Sequence, residues 1–213
     1  GFLINVIMFL VMFVVAGIIN RMSLDFVLSR SFGFGNLGKH LKESLVPSLV
    51  LGGVFFGLGL FLRVGLPFYN DLNPTVGLIV TVLAFWLTFF VVMAAQWYWP
   101  LNAQFEPKVK KLVRKSFILL FDNAGFSLFM AFGALVILAI SVFTLSLFPG
   151  VTGLILWFQV GLKLRMYKYD YLETLETTEP RKKVKIPWDG LLAAEREQTG
   201  PRSLKGMFFP WKE

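Results

Sequence analysis

The amino-acid sequence predicts an all-α protein: a polytopic transmembrane helix bundle of about five spans, with interfacial amphipathic helices and an extended cytoplasmic tail. Hydrophobic residues make up 56% of the 213 residues, above the roughly 45–50% typical of soluble domains. They form long runs almost free of charge, and the charged residues lie between these runs. The runs are apolar on every side, whereas membrane-spanning strands alternate apolar and polar residues. Helices are therefore predicted.

The predicted spans follow from length. A transmembrane helix needs about 20 apolar residues, with a range of roughly 17–25. The first run lacks the basic leading region of a signal peptide and precedes Asn20-Arg21, so we interpret it as a retained span. The last turns of the short fifth run carry Lys163, Arg165 and Lys168, and their long side chains can extend to the headgroups. The runs cover residues 2–19, 48–68, 75–99, 126–148 and 151–164.

Lysine and arginine residues occur in alternate connecting segments. They follow the first, third and fifth spans, whereas the links at 69–74 and 149–150 contain none. Cytoplasmic loops of membrane proteins carry an excess of these residues. The sequence therefore predicts a multi-pass plasma membrane protein with its N-terminus outside and its C-terminal tail in the cytoplasm.

Two connecting segments, 36–46 and 107–121, are predicted to form interfacial helices. Apolar residues in both recur at helical spacing, and in the second segment the lysines lie opposite the apolar stripe. In a soluble protein the net charge of +8 would suggest nucleic acid. Here the basic residues flank apolar runs, so the predicted partners are anionic lipid headgroups and not nucleic acid. The headgroup-binding candidates are Lys108, Lys111, Lys115, Arg181, Lys182 and Lys183.

The chain divides into a predicted membrane bundle at 1–170 and a polar, proline-containing tail at 171–213. A short helix is possible at 191–198. An exposed apolar cluster on a tail commonly docks on another surface, either a partner protein or this chain's own cytoplasmic face. The cluster consists of Met207, Phe208, Phe209 and Trp211.

Two features within the second span suggest contacts. Gly53 and Gly57 form a GxxxG pattern, which lets two helix backbones approach closely. The packed helix can belong to this chain or to a partner. Arg63 is a charged residue inside the span near its outer end, where its side chain can extend to the interface; the alternative is that it lines a transport path.

Sequence motifs give little sign of catalysis. Cysteine is absent and histidine occurs once, and the spans hold neither a carboxylate pair nor a Ser-His-Asp pattern. The GxGxxG at 33–38 lacks the preceding strand and the later acidic residue of a dinucleotide site, and we interpret it as a turn. His40 is expected to be solvated, and Asp122 to end a helix. We therefore predict no enzyme activity, no cofactor and no metal site.

A segment from Gln96 to Glu106 reads Gln-Trp-Tyr-Trp-Pro-Leu-Asn-Ala-Gln-Phe-Glu and is followed by the basic segment and Asp122-Asn123. This pattern resembles the YesL-like family of bacterial integral membrane proteins, a domain of unknown function. In that family an aromatic-proline pair ends a span and an Ala-Arg-Phe-Glu-like turn follows. The resemblance implies a protein of the bacterial inner membrane, associated with an ABC-type sugar transporter, without known catalytic residues.

Two functions are consistent with these features. The first is a non-catalytic accessory or scaffolding subunit of a membrane complex, with other membrane subunits as partners. The second is a transport protein or permease component for a small solute or anion, with Arg63 on the path. Polar side chains in the spans are few, which is weak support for transport. The polar side chains considered are Thr81, Thr88, Ser127, Ser141 and Gln159.

The predicted sidedness can be tested at Asp71 and Lys110. Because the chain has no cysteine, Asp71→Cys and Lys110→Cys each introduce a single labelling site. We expect a membrane-impermeant maleimide to label Asp71→Cys on intact cells and Lys110→Cys only after permeabilisation. Labelling of both variants from the same side would contradict the predicted threading.

Overall fold

A computed structural model describes residues 1–27, 37–105, 108–145, 150–174, 185–193 and 197. In these residues the backbone is helical apart from short turns and the extended segment before α8, which confirms the all-α fold. The helices are α1 (Phe2–Val27), α2 (Leu37–Leu60), α3 (Leu66–Leu72), α4 (Pro74–Phe105), α5 (Val109–Asp122), α6 (Ala124–Phe143), α7 (Gly150–Thr174) and α8 (Trp188–Leu191).

Four stretches of helix are long and apolar enough to cross a membrane. Each contains one of the first four predicted spans or most of it. The fourth predicted span lies in α6, which ends at Phe143, before the predicted end at residue 148. The fifth predicted span lies in α7, which is helical but is not among the four. Its crossing of the membrane therefore stays a prediction. The four stretches are Phe2–Asp25, Leu37–Leu72, Pro74–Phe105 and Ala124–Phe143.

The second membrane helix is much longer than predicted. α2, a π-helical turn at Phe61–Gly65 and α3 follow one another without a break, giving 36 residues of helix. That is about 54 Å at 1.5 Å per residue, well beyond the roughly 30 Å hydrocarbon core. The helix must tilt or project from the core. The prediction of a separate interfacial helix at 36–46 is therefore wrong, since residues 37–46 form the first turns of α2.

Pro47 does not interrupt α2, although proline removes one backbone hydrogen bond. Two side-chain hydroxyls bond to backbone carbonyls in this part of the helix. The Ser48 hydroxyl donates to the Ser44 carbonyl at 2.6 Å, and the Tyr98 hydroxyl donates to the Pro47 carbonyl at 2.9 Å. Similarly, Pro100 lies inside α4, which continues to Phe105. The helix therefore extends six residues beyond Trp99, where the predicted third span ends.

A tight turn at Asn73 joins α3 to α4. The Asn73 side-chain oxygen accepts hydrogen bonds from the backbone N–H groups of Thr75 and Val76, at 2.9 and 3.3 Å, and so caps α4. A Cβ at Gly77 would lie 2.7 Å from the Asn70 Cα. Only glycine therefore fits this hairpin. Most of the predicted link at 69–74 is helical, because this cap needs a single non-helical residue.

The helix predicted at 107–121 is found as α5, and it ends at Asp122 as expected. Its buried side chains include Leu112, Ser116 and Leu119, whereas Lys111 and Lys115 are exposed. Asn123 then caps α6, accepting a hydrogen bond from the Phe126 N–H at 3.2 Å. α5 packs on α4. Its position in the membrane plane stays a prediction.

The chain separates into two compact units, Gly1–Leu162 and Lys163–Glu213. In the first unit α4 is central, with contacts to α1, α2, α3, α5 and α6. In the second unit, the Lys163 ammonium lies 5.9 Å from the Tyr167 ring centroid, a cation–π geometry. The helix predicted at 191–198 lies partly outside the described residues, and Ala193 and Glu197 are helical.

A buried ion pair joins three helices of the first unit. The Arg21 guanidinium on α1 donates to the Glu43 carboxylate on α2 at 2.7 Å and to the Asn102 carbonyl on α4 at 3.0 Å. The Arg21 side chain is only 4% exposed. The sequence analysis placed Arg21 in a cytoplasmic connector. α1 instead continues to Val27, because its polar end has partners inside the bundle.

We predict that Arg21→Met destabilises the protein by roughly 2–4 kcal/mol, because it leaves Glu43 without its buried partner. Lys39→Met is the matched control. Lys39 lies 3.8 Å from the same Glu43 carboxylate but is 69% exposed, so its removal should cost less than about 1 kcal/mol. Denaturant unfolding in detergent micelles measures both values. Equal losses in the two variants would contradict the structural role of Arg21.

Candidate functional site

Long polar side chains meet inside the bundle, where the sequence analysis expected membrane or connector. Asn20, Arg21, Asn102 and Gln159 are all buried. They come from α1, α4 and α7, and hydrogen bonds connect them to one another or to neighbouring polar residues. We call the group the polar cluster; its members are Asn20, Arg21, Glu43, Asn102, Gln104 and Gln159.

Gln159 is the hub of one half of the polar cluster. Its Nε2 donates to the side-chain oxygen of Asn20 and to the Asn20 carbonyl, the latter at 3.2 Å. Its Oε1 accepts from Gln104 Nε2 at 3.3 Å. Both ends of this amide are therefore used, and they connect α7 to α1 and α4. Burying an amide without such partners costs a few kcal/mol.

A second set of polar contacts joins α4 to α6 through Ser127. The Trp97 indole N–H donates to the Ser127 hydroxyl at 3.1 Å, and Gln96 Nε2 donates to the Ser127 carbonyl at 3.2 Å. The other end of the Gln96 amide, Oε1, is buried and has no hydrogen-bond partner among the described residues. One further bond, from the Trp157 indole N–H to the Met130 carbonyl at 2.9 Å, joins α7 to α6.

An apolar cavity of about 470 Å³ lies next to these polar contacts, between α1, α2, α4, α6 and α7. Its size is within the roughly 300–1,000 Å³ typical of small-molecule pockets. Asn20 and Gln96 contribute polar side chains to its wall, and none of its lining residues in the described part of the chain is charged. Representative apolar lining residues are Phe13, Phe55, Met93, Ala131, Leu135 and Phe158.

Several helical glycines lie at close contacts within the bundle. A Cβ at Gly17 would come within 2.7 Å of the Trp99 ring, and one at Gly133 within 2.3 Å of the Trp157 ring. A Cβ at Gly53 or Gly57 would meet nothing within 4 Å. Both glycines are exposed. Packing of this GxxxG pattern on another helix of the described chain is therefore excluded, and packing on a partner stays a prediction.

The remaining predicted site residues do not come together. Arg63 is exposed within the π-helical turn and lines neither the large cavity nor a smaller one between α2, α4 and α5. Lys108, Lys111 and Lys115 are exposed at the start of α5 or along it. The other candidates, Arg181, Lys182, Lys183, Met207, Phe208, Phe209 and Trp211, lie outside the described residues, as do residues 33–36 of the glycine motif.

His40 is less solvated than predicted. Its Nε2 lies 3.6 Å from the Asp25 carboxylate, and the side chain is 13% exposed. Among the described residues, no three His, Asp or Glu side chains lie close enough together to hold a metal ion.

The sequence does not predict the roles of Asn20, Gln96 and Gln159. The available signal was the isolation of Gln96 and Gln159 among apolar residues. A polar side chain at membrane depth usually faces the bundle interior and finds a partner there. Gln96 was read as part of a family pattern, and Asn20 as the start of a connector.

The fold and the polar contacts define this chain as a helical membrane protein with a buried polar cluster beside an apolar cavity. No family model, curated protein or solved structure matches the chain. The resemblance to the YesL-like family thus stays an expectation from the sequence.

We predict that Gln159→Leu lowers the free energy of unfolding by about 1–3 kcal/mol, because Asn20 and Gln104 lose a buried partner. Gln104→Leu removes only one contact and should cost about 0.6 kcal/mol, the average for interhelical hydrogen bonds in bilayers. Thermal unfolding in nanodiscs shows which of the two variants loses more stability. An equal or larger loss for Gln104→Leu would show that Gln159 is not the hub.

Proposed function

We propose that this chain is a non-catalytic accessory or scaffolding subunit of a bacterial inner-membrane complex. α2 contacts a membrane helix of a partner subunit through Gly53 and Gly57. The observation that carries the proposal is the open space at both glycines, in contrast to the close contacts at Gly17 and Gly133.

A glycine inside a helix costs about 1 kcal/mol relative to alanine. Close approach of another helix backbone offsets this cost. Within the chain, the Trp99 side chain lies against Gly17 and the Trp157 side chain against Gly133, whereas Gly53 and Gly57 have no close neighbour in the described residues. A helix from another subunit supplies the missing neighbour.

The surface around the two glycines has the shape that helix packing requires. Residues at three- and four-residue steps share one helix face, so Leu49, Gly53, Gly57 and Leu60 form one exposed stripe. Leu49 and Leu60 are 40% and 48% exposed. Two small residues between larger ones leave a shallow groove that accepts a ridge of side chains from a second helix.

The basic face of α5 supports attachment to anionic lipid on the cytoplasmic side. Lys108, Lys111 and Lys115 are exposed, and each lysine near an anionic membrane surface contributes about 1 kcal/mol. These residues would hold α5 against the headgroups while α2 contacts the partner. The resemblance to the YesL-like family suggests an ABC-type sugar transporter as that partner.

The transport alternative depended on Arg63. This side chain is exposed and lines neither cavity. No observation favours a path for an anion or sugar along it, so transport by this chain alone is not proposed.

We predict that Gly53→Leu and Gly57→Leu each reduce the amount of partner subunit recovered with the chain by about tenfold, since overpacking of a close contact costs roughly 1–3 kcal/mol. Gly59→Leu is the control, because Gly59 lies on the same helix, is exposed and has open space. Quantitative mass spectrometry after purification in mild detergent gives the ratio of partner to chain.

The thermal stability of each variant, measured on the isolated chain, separates loss of the partner contact from misfolding. Gly53→Leu and Gly57→Leu should keep or slightly raise the thermal stability, because leucine is the better helix former. Gly52→Leu should lower it, since a Cβ at Gly52 already approaches Leu10 and Phe13 at 3.0 and 3.2 Å. Equal partner recovery for Gly53→Leu, Gly57→Leu and Gly59→Leu would overturn the proposed interface.

A further inference from the structure

We propose that the cavity between α1, α2, α4, α6 and α7 binds a neutral, single-chain amphiphile whose head carries both a carbonyl and a hydroxyl, as a monoacylglycerol does. The proposal does not depend on the glycine face of α2 or on a partner subunit. It rests on the size of the cavity, its lining and two polar side chains at its wall.

The apolar lining calls for an apolar chain. The cavity of about 470 Å³ is lined mostly by aliphatic and aromatic side chains from five helices. An acyl chain in this space packs against side chains as apolar as the lipid tails that it leaves, so its entry from the bilayer costs little. A compact polar solute loses its hydration there and finds few polar partners.

The orientation of Asn20 is fixed by its neighbour. Its side-chain oxygen accepts a hydrogen bond from Gln159, so its Nδ2 is the end of the amide without a hydrogen-bond partner in the described part of the chain. Asn20 lines the cavity. The Nδ2 group is a donor, and a carbonyl oxygen on the ligand is its matching acceptor.

Gln96 offers the opposite polarity. Its Nε2 is held by the Ser127 carbonyl at 3.2 Å, and its Oε1 is buried without a partner among the described residues. An unsatisfied buried acceptor costs about 1–3 kcal/mol. A hydroxyl on the ligand head donates the missing hydrogen bond after a small movement of the Gln96 side chain.

The head group must be neutral. None of the described residues that line the cavity is a lysine, arginine, aspartate or glutamate. A charged phosphate or carboxylate placed there would lose its hydration without gaining an opposite charge, which costs several kcal/mol. The cavity lies in the lower half of the size range for small-molecule pockets, which favours one acyl chain over two.

Photo-crosslinking tests the assignment. The full chain is reconstituted in phosphatidylcholine nanodiscs with a monoacylglycerol that carries a diazirine in its acyl chain and an alkyne for detection. We expect saturable labelling, mapped by mass spectrometry to cavity residues such as Leu135 and Phe158, that is competed by unlabelled monoolein. Competition by lysophosphatidic acid that is equal to or stronger than that by monoolein would overturn the neutral head group.

Matched alanine replacements on α6 test the location. Ala131→Phe fills the cavity, which Ala131 lines, and should reduce labelling about tenfold. Ala139→Phe adds the same ring at an exposed position on the same helix that does not line the cavity. It should change labelling less than about twofold. Equal labelling of the two variants would overturn the site.

Gln96→Met tests the polar contact separately. It keeps the length of the side chain and removes the amide, so labelling should weaken about 2- to 10-fold, the range of one lost hydrogen bond. The thermal unfolding of Gln96→Met, Ala131→Phe and Ala139→Phe is measured in parallel, and labelling is compared at a temperature where all three are folded. Unchanged labelling of Gln96→Met would overturn the role of the hydroxyl.

Discussion

Polar groups buried inside a protein are out of reach of water, so each must find its partner within the protein. In this chain the constraint is met most directly by Arg21. One guanidinium satisfies the Glu43 carboxylate and the Asn102 carbonyl, and so joins α1, α2 and α4 at one point. A charge this deeply buried is tolerated only with such partners. The packing of the first three membrane helices therefore depends on this contact.

Side-chain length decides how the remaining polar residues are satisfied. Several short hydroxyl side chains bond to their own helix: Thr81 donates to the Gly77 carbonyl at 2.8 Å and Thr88 to the Ala84 carbonyl at 2.7 Å. Long amides reach other helices, as Gln159 does to Asn20, and the Ser127 hydroxyl joins them by accepting from Trp97 on α4. Hydroxyls that bond to their own helix are thus compatible with any neighbour, whereas the contacts between helices specify which helices pack together.

The proposed partner contact and the proposed ligand site use different surfaces. The exposed stripe on α2 contains Gly53 and Gly57, whereas residues on the same helix that line the cavity, Leu51 and Phe55, are buried or half-buried. A ligand in the cavity would contact α2 from within the bundle, behind the stripe. Both proposals depend on apolar contacts, one with a partner helix and one with an acyl chain, in keeping with the apolar composition of the membrane helices.

The sequence by itself determined the all-α class, the four membrane-crossing helices and the amphipathic α5, because each depends on local composition and period. It misplaced the helix ends at Asn20-Arg21, Pro47 and Pro100, where local signals of charge or proline favour a break. Tertiary structure decided these positions, since partners such as Glu43 and Tyr98 lie far away in sequence and satisfy the polar groups. The cavity and the polar cluster likewise exist only where five helices meet, and no single segment encodes that meeting point.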